Sequence, residues 1–297
     1  MTERTLAERL GYAPQDRVVI WHADDIGMCH GANAAFVEQA PFGLITCGAV
    51  MVPCPWFAEI AAYCRAHPEL DMGVHITLNA EWLTYRWGPI STRDPASGLL
   101  DAQGYLPRSV AELHRQMKPE AAIAEMRAQV ERALAAGIDV THIDTHMGAV
   151  LHLSLLSAYI QLGIEFHVPV MLPRLTRAAM IQQGASEEAA AAALAQLAAL
   201  EGSGLPVLDA IASGPATRGD PEPAFKKALD ALPSGVTHFL CHPNKPSAEI
   251  KAITPNWEYR QADYRAGLSE ELRDHVAASG IRLIGYRRLR DLIRGQA

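Results

Sequence analysis

Four stretches of this 297-residue chain carry the side chains that chemistry needs. "VVIWHADDIGMCHG" starts at Val18 as an apolar run and meets two adjacent carboxylates, Asp24 and Asp25. Two ionised carboxylates side by side repel, and each resists leaving water, so an apolar setting tolerates them only with a cation, a shared proton or water. "GVHITLN" sets His75 in a second apolar run, "THIDTH" spaces His142, Asp144 and His146 two residues apart, and "LCHPNKP" carries His242. On an extended strand, residues two apart share a face, so His142, Asp144 and His146 point the same way.

These residue types suit metal-assisted hydrolysis. One aspartate and two histidines form a facial set that leaves positions open for water and substrate, which a catalytic rather than structural metal requires. The other aspartate is then free to take a proton from water whose pKa a cation such as zinc lowers from 15.7 to about 7. A carboxylate close to a ligating imidazole can orient it. His242 offers an acid that titrates near neutrality for a leaving group. Each stretch taken alone has a plainer reading. "DDIG" suits a solvated turn or helix cap, His75 a hydrogen-bonded core histidine, "HIDTH" the polar filling of a barrel, and His242 the end of a strand before Pro243. Cys241 and His242 make a poor nucleophile and base, because neighbours on a strand face opposite ways. No GxSxG, Gly-rich phosphate loop or GxGxxG after a strand is present, so serine-hydrolase, nucleotide and dinucleotide readings lack support.

The elements that must position these groups follow from periodicity. A strand is predicted at about 17–22, then a turn and a helix through 32–39. "LITCGAVMVP" reads as a strand, "CPWFAEIAAYCRAHP" as a helix and "DMGVHITLN" as a strand. The irregular stretch 81–106, with Trp82, Trp87, Pro89, Pro95 and Gly98, reads as a loop insertion on the substrate side. A helix at 119–136 feeds the strand "IDVTHIDTHM"; "EFHVPVMLP" and "GVTHFLCHP" read as later strands, and an Ala-rich helical segment covers about 186–200. "SEELRDHVAASG" is a capped helix, and "IRLIGYRRLRDLI" a last strand and helix. This alternation implies a parallel sheet covered by helices, compatible with a single (β/α) barrel or a doubly wound sheet. In both, chemistry gathers at the carboxyl ends of strands, and four strands deliver His or Asp to one rim.

Composition bounds the partners. The chain is 49% hydrophobic and 20% charged with a formal net charge of −7, which argues against a general nucleic-acid or anionic-membrane binder and favours a small neutral or polar substrate. A charged N-terminus and the lack of any run of about 18 apolar residues predict a cytoplasmic chain without a membrane span. Five scattered cysteines without a CxxC pair indicate neither a disulfide framework nor a zinc knuckle. No heptad or swapped element stands out, and a homo-oligomer is left open.

The ordered set of motifs resembles the YdjC-like carbohydrate deacetylases, a family that includes chitooligosaccharide and hopanoid-associated deacetylases. "HADDIGMCHGANAAF" is similar to its NADDFGLSxGxNxAI, "GLITCGAVMVP" to the strand that follows, "GVHITLN" to GxHLxLT, "THIDTH" to THxDxH, and "CHPN" to a CHPG-like end strand. The resemblance implies one domain spanning 1–297, a distorted (β/α) TIM-like barrel that binds one divalent cation, magnesium or zinc, and removes an acetyl group from an N-acetylated sugar. It implies Asp25, His75 and His146 as metal ligands, Asp24 as general base and His242 as general acid. His142 and Asp144 become neighbours of the ligands or substrate, and Arg174 in "MLPRL" a substrate contact. The chain departs from the pattern at His22, where Asn is common, at Asn244 after CHP, and at Met147 to Val150, where the family often has a His-rich stretch. The altered pocket keeps two alternatives in view, hydrolysis of another amide or ester and a non-catalytic sugar-binding relative. Trp82, Trp87 and Trp257 are candidates for stacking on sugar rings.

Overall fold

A computed structural model describes residues 4–296 except 175, 183–185 and 203. Among the described residues, seven strands form one parallel sheet: β1 (Arg17–Ile26), β2 (Cys47–Val50), β3 (Met72–Ile76), β4 (Val140–Thr145), β5 (Ala210–Ser213), β6 (Gly235–Cys241) and β7 (Arg282–Leu283). Their order is β4-β3-β2-β1-β6-β5, with β7 paired to the start of β1. The two ends of this path are joined by the chain at 169–174. Met171 N–H donates to Ile143 C=O at 2.8 Å, and Leu208 N–H donates to Leu172 C=O at 2.9 Å just before β5 begins. The sheet therefore curls into a ring, a distorted (β/α) barrel rather than a doubly wound sheet. "EFHVPVMLP" closes that ring through isolated bridges at Val170 and Pro173 instead of forming the expected strand. Pro169 and Pro173 lack the N–H groups that a longer ladder would use.

Alternation along β1 sorts the side chains. Val19, Trp21 and Ala23 face the covering helices, where Trp21 stacks on Phe225 at 5.7 Å. Val18 and Ile20 face inward, where they meet Cys47, Met171, Leu208, Val236 and Tyr286 contributed from around the ring. The next two inward positions are His22 and Asp24. The barrel interior is thus apolar toward its amino-terminal rim and becomes polar one layer higher.

β1 runs to Ile26, four residues beyond the expected end, so the Asp pair lies within the strand and not in a turn. Its register against β2 shifts between Ala23 and Ile26, and Asp25 adopts φ +62°. That left-handed residue breaks the alternation, which lets two adjacent aspartates face the same cavity. The stretch 81–106 contains one short turn of helix at Pro95–Ser97, and the Ala-rich segment forms a helix over Glu187–Gly202. No helix of the described residues is long and apolar enough to cross a membrane.

Tyr159 ties the ring where its ladder is thinnest, donating its hydroxyl to Ile143 C=O at 2.8 Å from full burial and lying 3.2 Å from Met171 C=O. Tyr159→Phe is expected to lower unfolding free energy by about 1 kcal/mol, the net worth of such a bond. Urea denaturation with an unchanged slope would show it.

Candidate active site

A cavity of ≈ 460 Å³ opens at the carboxyl ends of the strands, and Asp24, Asp25, His75, Asp144, His146 and His242 all line it. Its mouth is apolar, with Met147, Leu151 and Ile211 at the rim and Trp82 on one wall. His142 lies one layer below, fully buried. Arg174 is not brought here. Its guanidinium pairs with Glu201 and Asp209 beside a different cavity, lined also by Arg4 and Arg9. Of the three tryptophans, Trp82 alone lines the main cavity; Trp87 is buried and donates to Asn79 C=O, and Trp257 lies under the Lys251 ammonium.

Two imidazoles converge on one buried oxygen. Asp25 Oδ1 lies 3.6 Å from His75 Nε2 and 3.2 Å from His146 Nδ1. The far nitrogen of each imidazole is held by a carboxylate: His75 Nδ1 by Asp144 at 2.8 Å, His146 Nε2 by Glu81 at 3.0 Å. Carboxylate–imidazole pairs of this kind fix ring orientation so that the near nitrogen is presented to a cation. Asp25, His75 and His146 offer three ligand atoms within 4.8 Å of one another.

The other oxygen of Asp25 accepts from Arg260 Nη2 at 2.6 Å. Burial alone would raise the Asp25 carboxyl, but Arg260 and then His146 overcome it and hold it well below the usual carboxylate range. Burial likewise works against Asp24, yet the imidazoles of His75 and His22 hold its carboxyl low, with His22 Nδ1 only 2.6 Å away. Both aspartates are anions at neutral pH. For His146, burial disfavours the charged ring, but Glu81 and Asp25 outweigh it and push the ring up to about 10. Without a cation, His146 supplies positive charge between two carboxylates.

His242 Nε2 lies 3.7 Å from Asp24 Oδ2, with 38% of its side chain exposed at the cavity. Enclosure lowers its basicity, against the opposing pull of Asp25 and Asp24. Its backbone N–H donates to Asp263 Oδ2 at 2.8 Å, and burial pushes that carboxyl up to about 7. A second convergence, His22, Asp24, Asp144 and His238, lies beneath the first. Its donors are already engaged with one another, with His75, with His142 or with the Tyr286 hydroxyl.

Sequence reasoning missed Glu81, Arg260, Asp263, His22 and His238. His22 stands two residues before Asp24 and His238 four before His242, so period-2 counting would have found both. Nothing local marks Glu81 and Arg260, which reach the site from a loop and from the Trp257–Ala266 helix.

A family model described as "YdjC-like protein" matches residues 18–278. The chain belongs to the YdjC-like family. It is 31% identical over 276 residues to a protein named carbohydrate deacetylase from Thermus thermophilus, covering 92% of this chain and 94% of that one. A carbohydrate deacetylase from Thermoanaerobacter pseudethanolicus is 22% identical over 270 residues, covering 91% and 98%. Among solved structures, one described as a putative cellobiose-phosphate cleavage protein from Enterococcus faecalis V583 superposes with a TM-score of 0.75 at 20% identity, over 92% of this chain and 99% of that one. That likeness shows the shared fold.

Within this YdjC-like site, Arg260 is the fixed cation beside Asp25. Arg260→Met leaves a buried carboxylate oxygen unpaired, a change that costs about 3–5 kcal/mol. The metal-free variant is expected to unfold at lower urea than the metal-free parent, and to regain part of the loss when a divalent cation is added.

Proposed function

We propose that this protein is a metal-dependent deacetylase that cleaves the amide of an N-acetylated carbohydrate. The observation that carries the reading is Asp25 Oδ1, a buried anionic oxygen faced by two imidazoles whose far nitrogens are tied to carboxylates. Two nitrogens and one carboxylate oxygen, with open space on the cavity side, suit one divalent cation, zinc by ligand type or magnesium with added waters. Asp25, His75 and His146 would hold it. When bound, such a cation polarises a carbonyl, lowers the pKa of water and offsets oxyanion charge.

The remaining steps belong to the chain. Asp24, ionised and facing the cavity, accepts the proton that water loses as its oxygen attacks the acetyl carbon. His22 holds the opposite oxygen of Asp24 and so fixes the direction in which the carboxylate points. Collapse of the tetrahedral adduct breaks the C–N bond, giving acetate and a free amine. His242, beside Asp24 at the open side of the cavity, passes a proton to the departing nitrogen. Arg260 Nη1 is buried without a partner in the cavity wall, and its spare N–H suits a substrate oxygen. The relatives' name supports a carbohydrate, and the Trp82 wall offers a face for a sugar ring.

Acetate release from N-acetylated mono- and oligosaccharides, with metal removed and then restored, tests the reading. Activity is expected only with metal. Asp24→Asn should lower kcat at least about 100-fold, the low end of a positioned base's contribution, while calorimetry finds metal binding retained. An Asp24→Asn variant with near-normal kcat would overturn the assignment.

Metal binding should be linked to protons. A ring with a folded pKa near 10 is protonated through neutral pH, and a ligating imidazole must be neutral. Cation affinity is therefore expected to rise between about pH 6 and 10 with release of a proton, readable by calorimetry in buffers of different ionisation enthalpy. Removing the carboxylate that raises the ring most, with Glu81→Gln, should move this dependence to lower pH. For the metal-free fold the sign is opposite. The His146 contribution is full below its unfolded pKa of about 6.5 and is lost as pH rises through 10.

A further inference from the structure

Below the cavity, a continuous file of polar groups crosses the barrel from Asp24 to the opposite rim. Asp24 Oδ1 meets His22 Nδ1 at 2.6 Å, His22 Nε2 meets His142 Nε2 at 2.8 Å, and His142 Nδ1 meets Thr141 Oγ1 at 3.0 Å. Thr141 Oγ1 in turn contacts Asp71 Oδ1, and Arg287 N–H holds the other oxygen of Asp71 at 2.7 Å. Asp71 directly precedes β3, at the amino-terminal rim, with 9% of its side chain exposed. His22, Thr141 and His142 are fully buried. The file is tightly built. His142 stacks on Tyr286 with ring centroids 3.9 Å apart, and a Cβ at Gly73 would sit 2.5 Å from the His142 ring, so residue 73 must be glycine for the ring to lie there.

Counting hydrogens decides what this file contains. Each of its contacts is short enough to require a hydrogen, and four contacts require four. With both carboxylates ionised and both rings neutral, each imidazole supplies one and the threonine hydroxyl one, which makes three. Either the two Nε2 atoms would face each other lone pair to lone pair, or another link would fail in the same way. One further proton is needed to complete the file.

We propose that this proton is shared between His22 and Asp71 through His142 and Thr141, so that the charge facing the base of the proposed deacetylation can move away from it. In one arrangement His22 is an imidazolium that donates from both nitrogens, His142 donates Nδ1–H to Thr141, and Thr141 donates to the Asp71 carboxylate. In the other, Asp71 is a carboxylic acid that donates to Thr141, Thr141 donates to His142 Nδ1, and His142 donates Nε2–H to a neutral His22. The two differ by three short hops. His22 Nε2–H breaks as His142 Nε2–H forms, His142 Nδ1–H breaks as Thr141 Oγ1–H forms, and the original Thr141 proton passes to Asp71. Asp24 remains an anion accepting from His22 Nδ1–H in both. Moving the proton toward Asp71 removes a positive charge from beside Asp24.

Both resting places are supplied with counter-groups. His22 faces the carboxylates of Asp24 and, at 3.5 Å, Asp144, while His238 packs against it at 4.7 Å. Around Asp71 stand Arg287, His142, Thr141 and Cys47, and burial raises its carboxyl above the usual value in spite of the Thr141 and Arg287 bonds. His142, lowered well below an ordinary histidine by burial and by His22, His238 and His75, stays neutral and serves as the bridge.

The inference rests on Asp24 being the base of the proposed deacetylation, but its first test needs no substrate. In metal-loaded protein labelled with ¹⁵N-histidine, the His22 and His142 Nε2 signals should lie between the protonated and lone-pair positions and share a strongly downfield proton. Asp71→Asn removes the far resting place. The amide it introduces accepts from the Arg287 N–H and donates to Thr141, which supplies the fourth hydrogen, so the variant should fix His22 as a neutral ring, with His22 Nε2 at the lone-pair position and His142 Nε2 at the protonated one. Identical imidazole spectra for parent and Asp71→Asn would overturn the proposal. If Asp71→Asn does not fold, Thr141→Val, which removes only the hydroxyl, gives the same spectral test. Thr141→Ser, which keeps the hydroxyl, should keep the shared-proton signals of the parent; their loss in that variant would overturn the proposal. A parent that shows the shared proton but releases no acetate would instead sink the deacetylase reading and leave the proton file standing.

Discussion

Two carboxylates adjacent in sequence are buried together at the end of β1, and the upper half of the barrel is arranged around their charge. A carboxylate removed from water without partners costs several kcal/mol, so each must be met by charge or by hydrogen bonds. Asp24 is met from below by His22 and from the sides by His75 and His242. Asp25 is met by Arg260 on one oxygen and by two imidazoles near the other. Those imidazoles draw in Asp144 and Glu81, so that each ring lies between negative groups. The compensation spreads outward until it reaches solvent at Glu81 and His242.

The backbone makes this concentration of charge possible. Regular alternation would send one aspartate inward and the other into the helical layer beside Trp21. The register shift after Ala23 and the left-handed Asp25 bring both to the cavity. A non-glycine residue at positive φ carries a conformational cost, tolerated here because Asp is among the residues that enter that region most readily and because Arg260 holds its carboxylate. Strain, charge and exposed function coincide at one residue. The layers beneath, first histidines and then Val18, Ile20 and their apolar neighbours, are regular and supply the stability on which this local cost is laid.

Much of this was legible in the chain because strands impose a period of two and parallel barrels gather chemistry at one rim. Asp24, Asp25, His75, Asp144, His146 and His242 could be placed together from spacing and strand order alone. The resemblance to the YdjC-like family gave them an order of roles. What escaped was set by longer-range geometry. Glu81 and Arg260 act on His146 and Asp25 from a loop and from the Trp257–Ala266 helix, and nothing in their local sequence marks either as part of the site. The ring closes through a proline-interrupted segment too short of N–H groups to read as a strand, and through "AIAS", whose weak alternation gave no sign of β5. Arg174 shows the converse case. It follows the closing segment as its place in "MLPRL" suggests, but the acidic residues nearest to it, Glu201 and Asp209, turn it toward a separate cavity.

The polar interior also explains why this barrel does not simply fill its centre with Val, Ile and Leu. A buried polar network is worth having only when nearly every member is satisfied, since each unmet group costs about 1–3 kcal/mol. In the layer of His22, His142 and His238, each ring has a partner on at least one nitrogen, and His22 and His142 on both. One layer higher, where the wall meets the cavity, Asp25 Oδ1 has only the two imidazoles near it and Arg260 Nη1 has no partner. One is an acceptor carrying negative charge and the other a donor carrying positive charge. A cation and a substrate oxygen are groups whose charges would match them. The lower layer is therefore built for order and the upper one for ligands, with His22 joining the two.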